Sequence, residues 1–162
     1  MSAPALRPML PADVPVLAAI FVASIEELTG DDYNEAQQVA WASAADNEEE
    51  FGARLAKELT LVATLQGAPV GFAALKGPNH IDMLYVHPTA VGQGVASALC
   101  DALEKLAGAR GTEALTVDAS DTAQRFFAKR GYTATRRNSV SVADEWLANT
   151  TMTKTLATGG PA

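Results

Sequence analysis

Only two histidines occur among the 162 residues, and one of them, His80, has a carboxylate two positions further on at Asp82. Both open the apolar run Ile81-Asp82-Met83-Leu84-Tyr85-Val86, which His87-Pro88 closes. Residues two apart on a strand project to one face. An imidazole with an ordinary pKa of about 6.5 suits proton transfer near neutrality, and Asp82 could orient it or relay a proton through water. A solvated turn at Asn79-His80 is the plainer alternative. A second pattern follows in Val91-Gly92-Gln93-Gly94-Val95-Ala96-Ser97, where a glycine-bearing turn leads into a helix. Gly92 and Gly94 let the backbone turn tightly and approach a ligand. The first-turn N–H groups of a helix lack internal partners and carry partial positive charge, which suits a phosphate or pyrophosphate. No Gly-Lys-Ser/Thr follows, so this is not a Walker loop, and a tight turn without a ligand stays open.

Those residues need a frame. Ala5 to Met9 reads as a strand stopped by Pro11, and Pro11-Ala12-Asp13 opens a helix. Its apolar positions Val16, Leu17, Ile20, Phe21, Ile25 and Leu28 recur at helical spacing. Asn34 is a candidate N-cap for a second helix through Trp41, and Asp46 for a third over Glu48 to Lys57. The period then changes. Leu59 to Leu65 and Val70 to Leu75 form a hairpin around Gln66-Gly67-Ala68-Pro69, with Ile81 to Val86 as the next strand. A long helix spans Gln93 to Gly108, with Val95, Leu99, Leu103 and Leu106 as its core face. Ala114 to Val117 is a strand, Asp121 to Lys129 a helix stopped by Gly131, and Tyr132 to Val142 and Trp146 to Leu156 are two last strands. The order predicts an α+β chain with one central sheet and helices on both faces. Residues 1–157 read as one domain and 158–162 as a flexible tail.

Composition narrows the function. The length is that of one domain, and 48% apolar content supports a core without staples. A net charge of −7 argues against nucleic acid as partner. The single cysteine, Cys100, excludes an internal disulfide and reads as a buried small hydrophobe. No Cys/His spacing suits zinc, so no metal is expected. No run reaches the ~18 apolar residues of a membrane span, and the first residues do not resemble a signal peptide. The expectation is a soluble, reduced, cytoplasmic protein with no membrane partner.

Leu84-Tyr85-Val86-His87-Pro88 resembles the end of the fourth strand of the GNAT superfamily of acyl-CoA-dependent N-acyltransferases. Val91 to Ala96 is similar to that family's pyrophosphate loop, and Ala123 to Tyr132 to its late helix and following strand. The likeness runs over nearly the whole chain and is marked toward the bacterial YafP-like subgroup through Ile81-Asp82-Met83-Leu84, Leu115 to Ser120 and Leu147 to Met152. It implies a mixed, mostly antiparallel sheet of about seven strands and transfer of an acetyl group from acetyl-CoA, as cosubstrate, to an amine by direct attack. It places the coenzyme against Leu84, Tyr85, Val86, Val91, Gly92, Gln93, Gly94, Val95, Ala96, Ser97, Ser120, Phe126 and Phe127. Backbone N–H groups of Leu84 to Val86 would face the acetyl carbonyl, and a homodimer is compatible with it.

Two departures stand out. The loop's first position, usually Gln or Arg in the family, is Val91. The tyrosine with which many members protonate the leaving thiolate falls at Phe127, which cannot donate, and the asparagine before it falls at Ser120. His80 and Asp82 occupy positions where members with a fourth-strand base carry it, so they are the expected catalytic residues. Glu27, Tyr33 and Trp41 are the expected substrate contacts from the first helices, with a solvated helix end and core packing as the alternatives. Three other functions stay open: an acyl-CoA-binding sensor or scaffold without turnover, an enzyme for longer acyl groups or non-amine acceptors, and a plain interaction domain.

Overall fold

The computed structural model describes residues 3–156; the expected tail, 158–162, lies outside the described residues. Seven strands form one sheet: β1 (Ala5–Pro8), β2 (Leu59–Leu65), β3 (Ala68–Lys76), β4 (His80–Val86), β5 (Ala114–Ser120), β6 (Thr133–Val142) and β7 (Glu145–Thr155). Their spatial order is β1-β2-β3-β4-β5-β7-β6. Every neighbouring pair is antiparallel except β4 and β5, which are parallel. The helices are α1 (Val14–Leu28), α2 (Glu35–Ala42), α3 (Glu48–Ala56), α4 (Val95–Ala109) and α5 (Gln124–Lys129).

The sheet separates two cores. Under α1 and α3 lie Leu17, Phe21, Phe51, Phe72 and Met83, with Tyr85 packed beside them. Under α4 lie Ile81, Val95, Leu99, Leu103, Val117 and Phe127. The apolar spacing read in α1 and α4 is what buries these faces, although Val16 turns outward and Ala107 replaces Leu106 as a fully buried position. Cys100 is buried in the α4 core, and burial pushes its thiol up to about 12.

Local boundaries moved for identifiable reasons. α4 starts at Val95 and not at Gln93, because Gly94 takes φ +80° at the N-cap and is not helical. Asn34 caps α2 as expected, accepting the Gln37 N–H. The cap of α3 is Asn47 and not Asp46: its side chain accepts the Glu50 N–H, while Asp46 ends a preceding 3-10 turn. β5 runs on to Ser120, and α5 begins only at Gln124.

Candidate active site

The parallel pairing of β4 and β5 stops after His80↔Thr116 and Ile81↔Val117. Beyond that point β5 continues along β7 to Ser120↔Asn149, while β4 follows β3 to Gly71↔Val86. The two strands diverge, and a cavity of about 380 Å³ opens between them. Leu84, Tyr85 and Val86 form one edge, Ala119 and Ser120 the other. Ala96, Phe126 and Phe127 close it on the α4 side, and Ile25, Tyr33, Trp41 and Leu147 on the α1 side.

The glycine turn stands at the mouth on the α4 side. Val91, Gly92, Gln93 and Gly94 are exposed. Gly92 and Gly94 have φ of +84° and +80°, and a Cβ added at either would meet nothing. Backbone conformation therefore demands glycine there, and the space above stays open. The Gln93 N–H donates to Ala90 O at 3.3 Å, and the first i→i+4 bond of α4 runs from Ala98 N–H to Gly94 O at 3.0 Å. The N–H groups of Val95, Ala96 and Ser97 are left without intrahelical partners. The Val95 side chain is buried and anchors the turn: it packs against Gly71, where a Cβ would fall 2.8 Å from Val95 Cγ1 and 3.1 Å from Tyr85 O. Ser97 is exposed on the outer side of the first turn.

On the α1 side the chemistry is held by β4. Ala74 pairs with Met83, but Leu75 pairs with Ile81, so Asp82 is the extra residue of a β-bulge. Such a bulge re-aims side chains: Ile81 enters the α4 core and Met83 the α1 core. Asp82 meets Arg54 of α3, whose Nη2 lies 3.0 Å from Oδ1 and 2.9 Å from Oδ2, with Nε at 3.1 Å from Oδ2. Behind it stands Glu58, whose carboxyl is raised to about 7 by burial and by the hydrogen bond and charge of Asp82. His80 Nδ1 lies 2.8 Å from Thr116 Oγ1, and its Nε2 is 3.9 Å from Asp118 Oδ2. His80 and Asp82 both line the cavity, but Thr116, and not Asp82, hydrogen-bonds the imidazole, with Asp118 beside it.

The remaining expected residues separate. Tyr33 is buried in the wall, and its hydroxyl is fully used: it donates to Ala148 O at 2.6 Å and accepts Asp121 N–H at 2.9 Å. Burial raises its pKa. Trp41 Nε1–H donates to Tyr85 Oη at 3.1 Å, and burial pushes Tyr85 up to about 12. Ser120 Oγ accepts the Ala123 N–H at 3.1 Å and caps the turn before α5. Phe127 is buried, with Phe126 and Tyr132 rings 5.2 Å from its own. Glu27 is exposed and does not line the cavity, because Ser24, Ile25 and Leu28 are the positions of α1 that turn inward. Among the described residues, no lysine or arginine lines the cavity, whereas His80, Asp82 and Asp118 do.

Gly71, Arg54, Glu58, Thr116 and Asp118 were not read from the sequence as site residues. Gly71 carried a usable signal, since a lone glycine inside a strand marks a close approach. The others carried none, because each is brought to β4 from another element.

Residues 29–156 match the family model described as an acetyltransferase (GNAT) domain. The chain is 35% identical over 144 residues to the uncharacterized N-acetyltransferase YafP of Escherichia coli K12, spanning 89% of this chain and 91% of that protein. A crystal structure of a GCN5-related N-acetyltransferase from Rhodopseudomonas palustris is 72% identical, superposes with a TM-score of 0.95, and covers 96% of this chain and 98% of that one. The PaiA N-acetyltransferase of Thermoplasma acidophilum, in complex with coenzyme A, shares the fold at TM-score 0.77 and 17% identity, covering 96% and 99%.

Proposed function

The chain belongs to the GNAT acetyltransferase family, and from that premise we propose that it moves the acetyl group of acetyl-CoA onto a small amine by direct attack in a ternary complex. The observation that carries the reading is the wedge between β4 and β5, flanked by the unpartnered amides of Val95, Ala96 and Ser97 beneath an open glycine turn. The residues fit the coenzyme. The amides are donors for its diphosphate, and the cleft passes from the α4 side of the sheet to the α1 side. Acetyl-CoA supplies an acetyl thioester there. The edge of β4 from Leu84 to Val86 has no β5 partner, so the N–H groups it turns away from β3 are the donors for charge developing on the carbonyl oxygen.

The acceptor enters from the α1 side. An alkylamine has a pKa of about 10.4, so roughly one molecule in a thousand is neutral at pH 7, a cost of about 4–5 kcal/mol. His80 and Asp82 are the proton acceptors offered by this wall. With Asp82 and Asp118 lining the cavity and, among the described residues, no lysine or arginine there, the acceptor is a cationic amine with an apolar body and no anionic group. Phe127 leaves the thiolate to take its proton from water, which a thiol pKa of about 8.5 permits.

Isothermal calorimetry with acetyl-CoA, and thiol release across primary amines with and without a carboxylate (2-phenylethylamine against phenylalanine, for example), test the reading. Micromolar binding and release only with carboxylate-free amines are expected. No coenzyme heat would remove the enzymatic reading. A second reading, binding without transfer, is favoured by the buried phenylalanine at 127; tight binding with no release on any amine selects it.

A further inference from the structure

We propose that Glu58 is a positioning residue for proton transfer, holding behind Asp82 the proton that the incoming amine gives up. The proposal rests on the acetyl-transfer reading above. The β-bulge makes Asp82 the supernumerary residue of β4 and sets it in the cavity wall. The Arg54 guanidinium forks over both its oxygens. Glu58 follows the last turn of α3, fixed by its N–H to Leu55 O at 3.2 Å, and brings a second carboxyl within hydrogen-bonding range of the first. Two ionised carboxylates are both acceptors and cannot bond each other; one must carry a proton. The Oε1 of Glu58 is buried and meets no donor, which marks Glu58 as the place for that proton. The charged groups facing it are Arg54 from α3, Lys76 from the end of β3 and Asp82 from β4. Arg54 spends its hydrogen bonds on Asp82. His80, on the same strand, is committed to Thr116 and stands beside Asp118.

The pair solves a matching problem. A lone carboxylate of ordinary strength, with a pKa of about 4, lies some six units below an alkylammonium. A carboxyl pair that gives up its last proton near neutrality is a far better match for a base working there. In the step, an ammonium N–H bond breaks, an O–H bond forms on Asp82, and the proton passes on to Glu58. The freed nitrogen lone pair attacks the thioester carbon. The second N–H proton leaves to solvent, water protonates the departing thiolate, and the Glu58 proton returns to solvent. The competent form has both carboxylates ionised, so kcat/KM for a strongly basic amine rises through the titration of Glu58.

Carbon-13 NMR of protein labelled at glutamate Cδ tests the pair without any acceptor. The Glu58 signal, identified by its loss in Glu58→Gln, is expected to titrate near 7 and to move to lower pH in Asp82→Asn. A Glu58 signal that titrates with the other glutamates overturns the proposal. For the rate, Glu58→Gln mimics the protonated acid. It is expected to lose roughly 10²-fold in kcat/KM at pH 8 with whichever alkylamine of the panel turns over, along with the rise between pH 6 and 8. With aniline, already neutral at pH 7, it should stay within about threefold of wild type, an effect a merely structural role would not spare. A variant that keeps the wild-type pH profile overturns the proposal. Absence of acetyl-CoA heat, or of thiol release with every amine, overturns the transfer reading instead, and the carboxyl pair is then decided by the NMR titration alone.

Discussion

Substituting Gly71 by alanine tests how the sheet carries the glycine turn. The new Cβ would sit 2.8 Å from Val95 Cγ1 and 3.1 Å from Tyr85 O, inside the 3.5–4.0 Å of ordinary carbon contact. Val95 is 2% exposed and has no open side to move into, and Tyr85 O is backbone. Overpacking of this kind costs about 1–3 kcal/mol, and the reduced chain entropy of alanine returns roughly 0.4–1. A net loss of about 1–2 kcal/mol follows, a fall of roughly 3–6 °C in Tm for a domain of this size. Because Val95 is the first residue of α4, the strain reaches the free amides, and acetyl-CoA affinity should weaken by about 3–10-fold. Val95→Ala removes the clashing methyls, so Gly71→Ala/Val95→Ala should be less destabilised than the two single changes summed, by about 1 kcal/mol. Gly67→Ala is the control: its φ is +82° with nothing near the Cβ, so it loses stability without touching Val95. Thermal unfolding and calorimetry on the four proteins decide the matter. Additive losses, or a coenzyme affinity for Gly71→Ala no weaker than for Gly67→Ala, would refute the reasoning.

Gly94→Ala places a side chain at φ +80° in open space; about 1–2 kcal/mol of stability should go to left-handed strain, with acetyl-CoA binding weakened at least ~10-fold by calorimetry. Glu58 holds its proton in the fold up to about 7, against 4.5 for the free group, so its contribution is fully present below 4.5 and is lost as pH rises through 7. Discounted for partial exposure, that loss is on the order of 1–2 kcal/mol. Glu58→Gln should therefore flatten urea-derived stability between pH 4.5 and 7 and exceed wild type at pH 8. Tyr33→Phe strands Asp121 N–H and Ala148 C=O and should cost about 1–3 kcal/mol in thermal unfolding. Asn47→Ala should cost about 1 kcal/mol through loss of the α3 cap, and Asp46→Ala less than ~0.5; equal losses would contradict the capping geometry.

The legible parts of this protein are those where local pattern and tertiary fate agree. Alternation and turn residues gave the β2–β3 hairpin, and helical spacing gave the buried faces of α1 and α4. The glycine turn was legible as a turn because its demand is local: two glycines at positive φ and a helix start lie within four consecutive residues. The α1 side of the cavity was not. Period two puts His80 and Asp82 on one face, but nothing in β4 announces the bulge that gives them separate partners. Arg54, Glu58, Thr116 and Asp118 reach them from two other stretches of chain, and no local spacing encodes such a meeting. Glu27 misled because an acidic helix end reads alike whether it faces a cavity or water, and the inward face of α1 is settled only by how the helix lies on the sheet.

The wedge also bears on the apolar residue at 127. Parting β4 from β5 in the middle of a sheet exposes backbone that ladder bonds would otherwise satisfy, a cost the fold sustains. It does so because β5 pairs along its whole length with β7 and because α5 drives Phe126 and Phe127 against the gap. Phe127 is 2% exposed and stacks edge-on against Tyr132, whose hydroxyl donates to Glu104 Oε2 at 2.9 Å. A hydroxyl at 127 would need its own partner in this packed layer or a rotation toward the cavity, and a buried unpaired hydroxyl costs roughly 1–3 kcal/mol. The side chain that plugs the wedge is thus held there by packing. On the acetyl-transfer reading, proton donation to the thiolate has then passed to water on the α4 side. Proton removal from the amine stays with ionisable side chains on the α1 side, so the sheet separates the two proton movements that one acyl transfer requires.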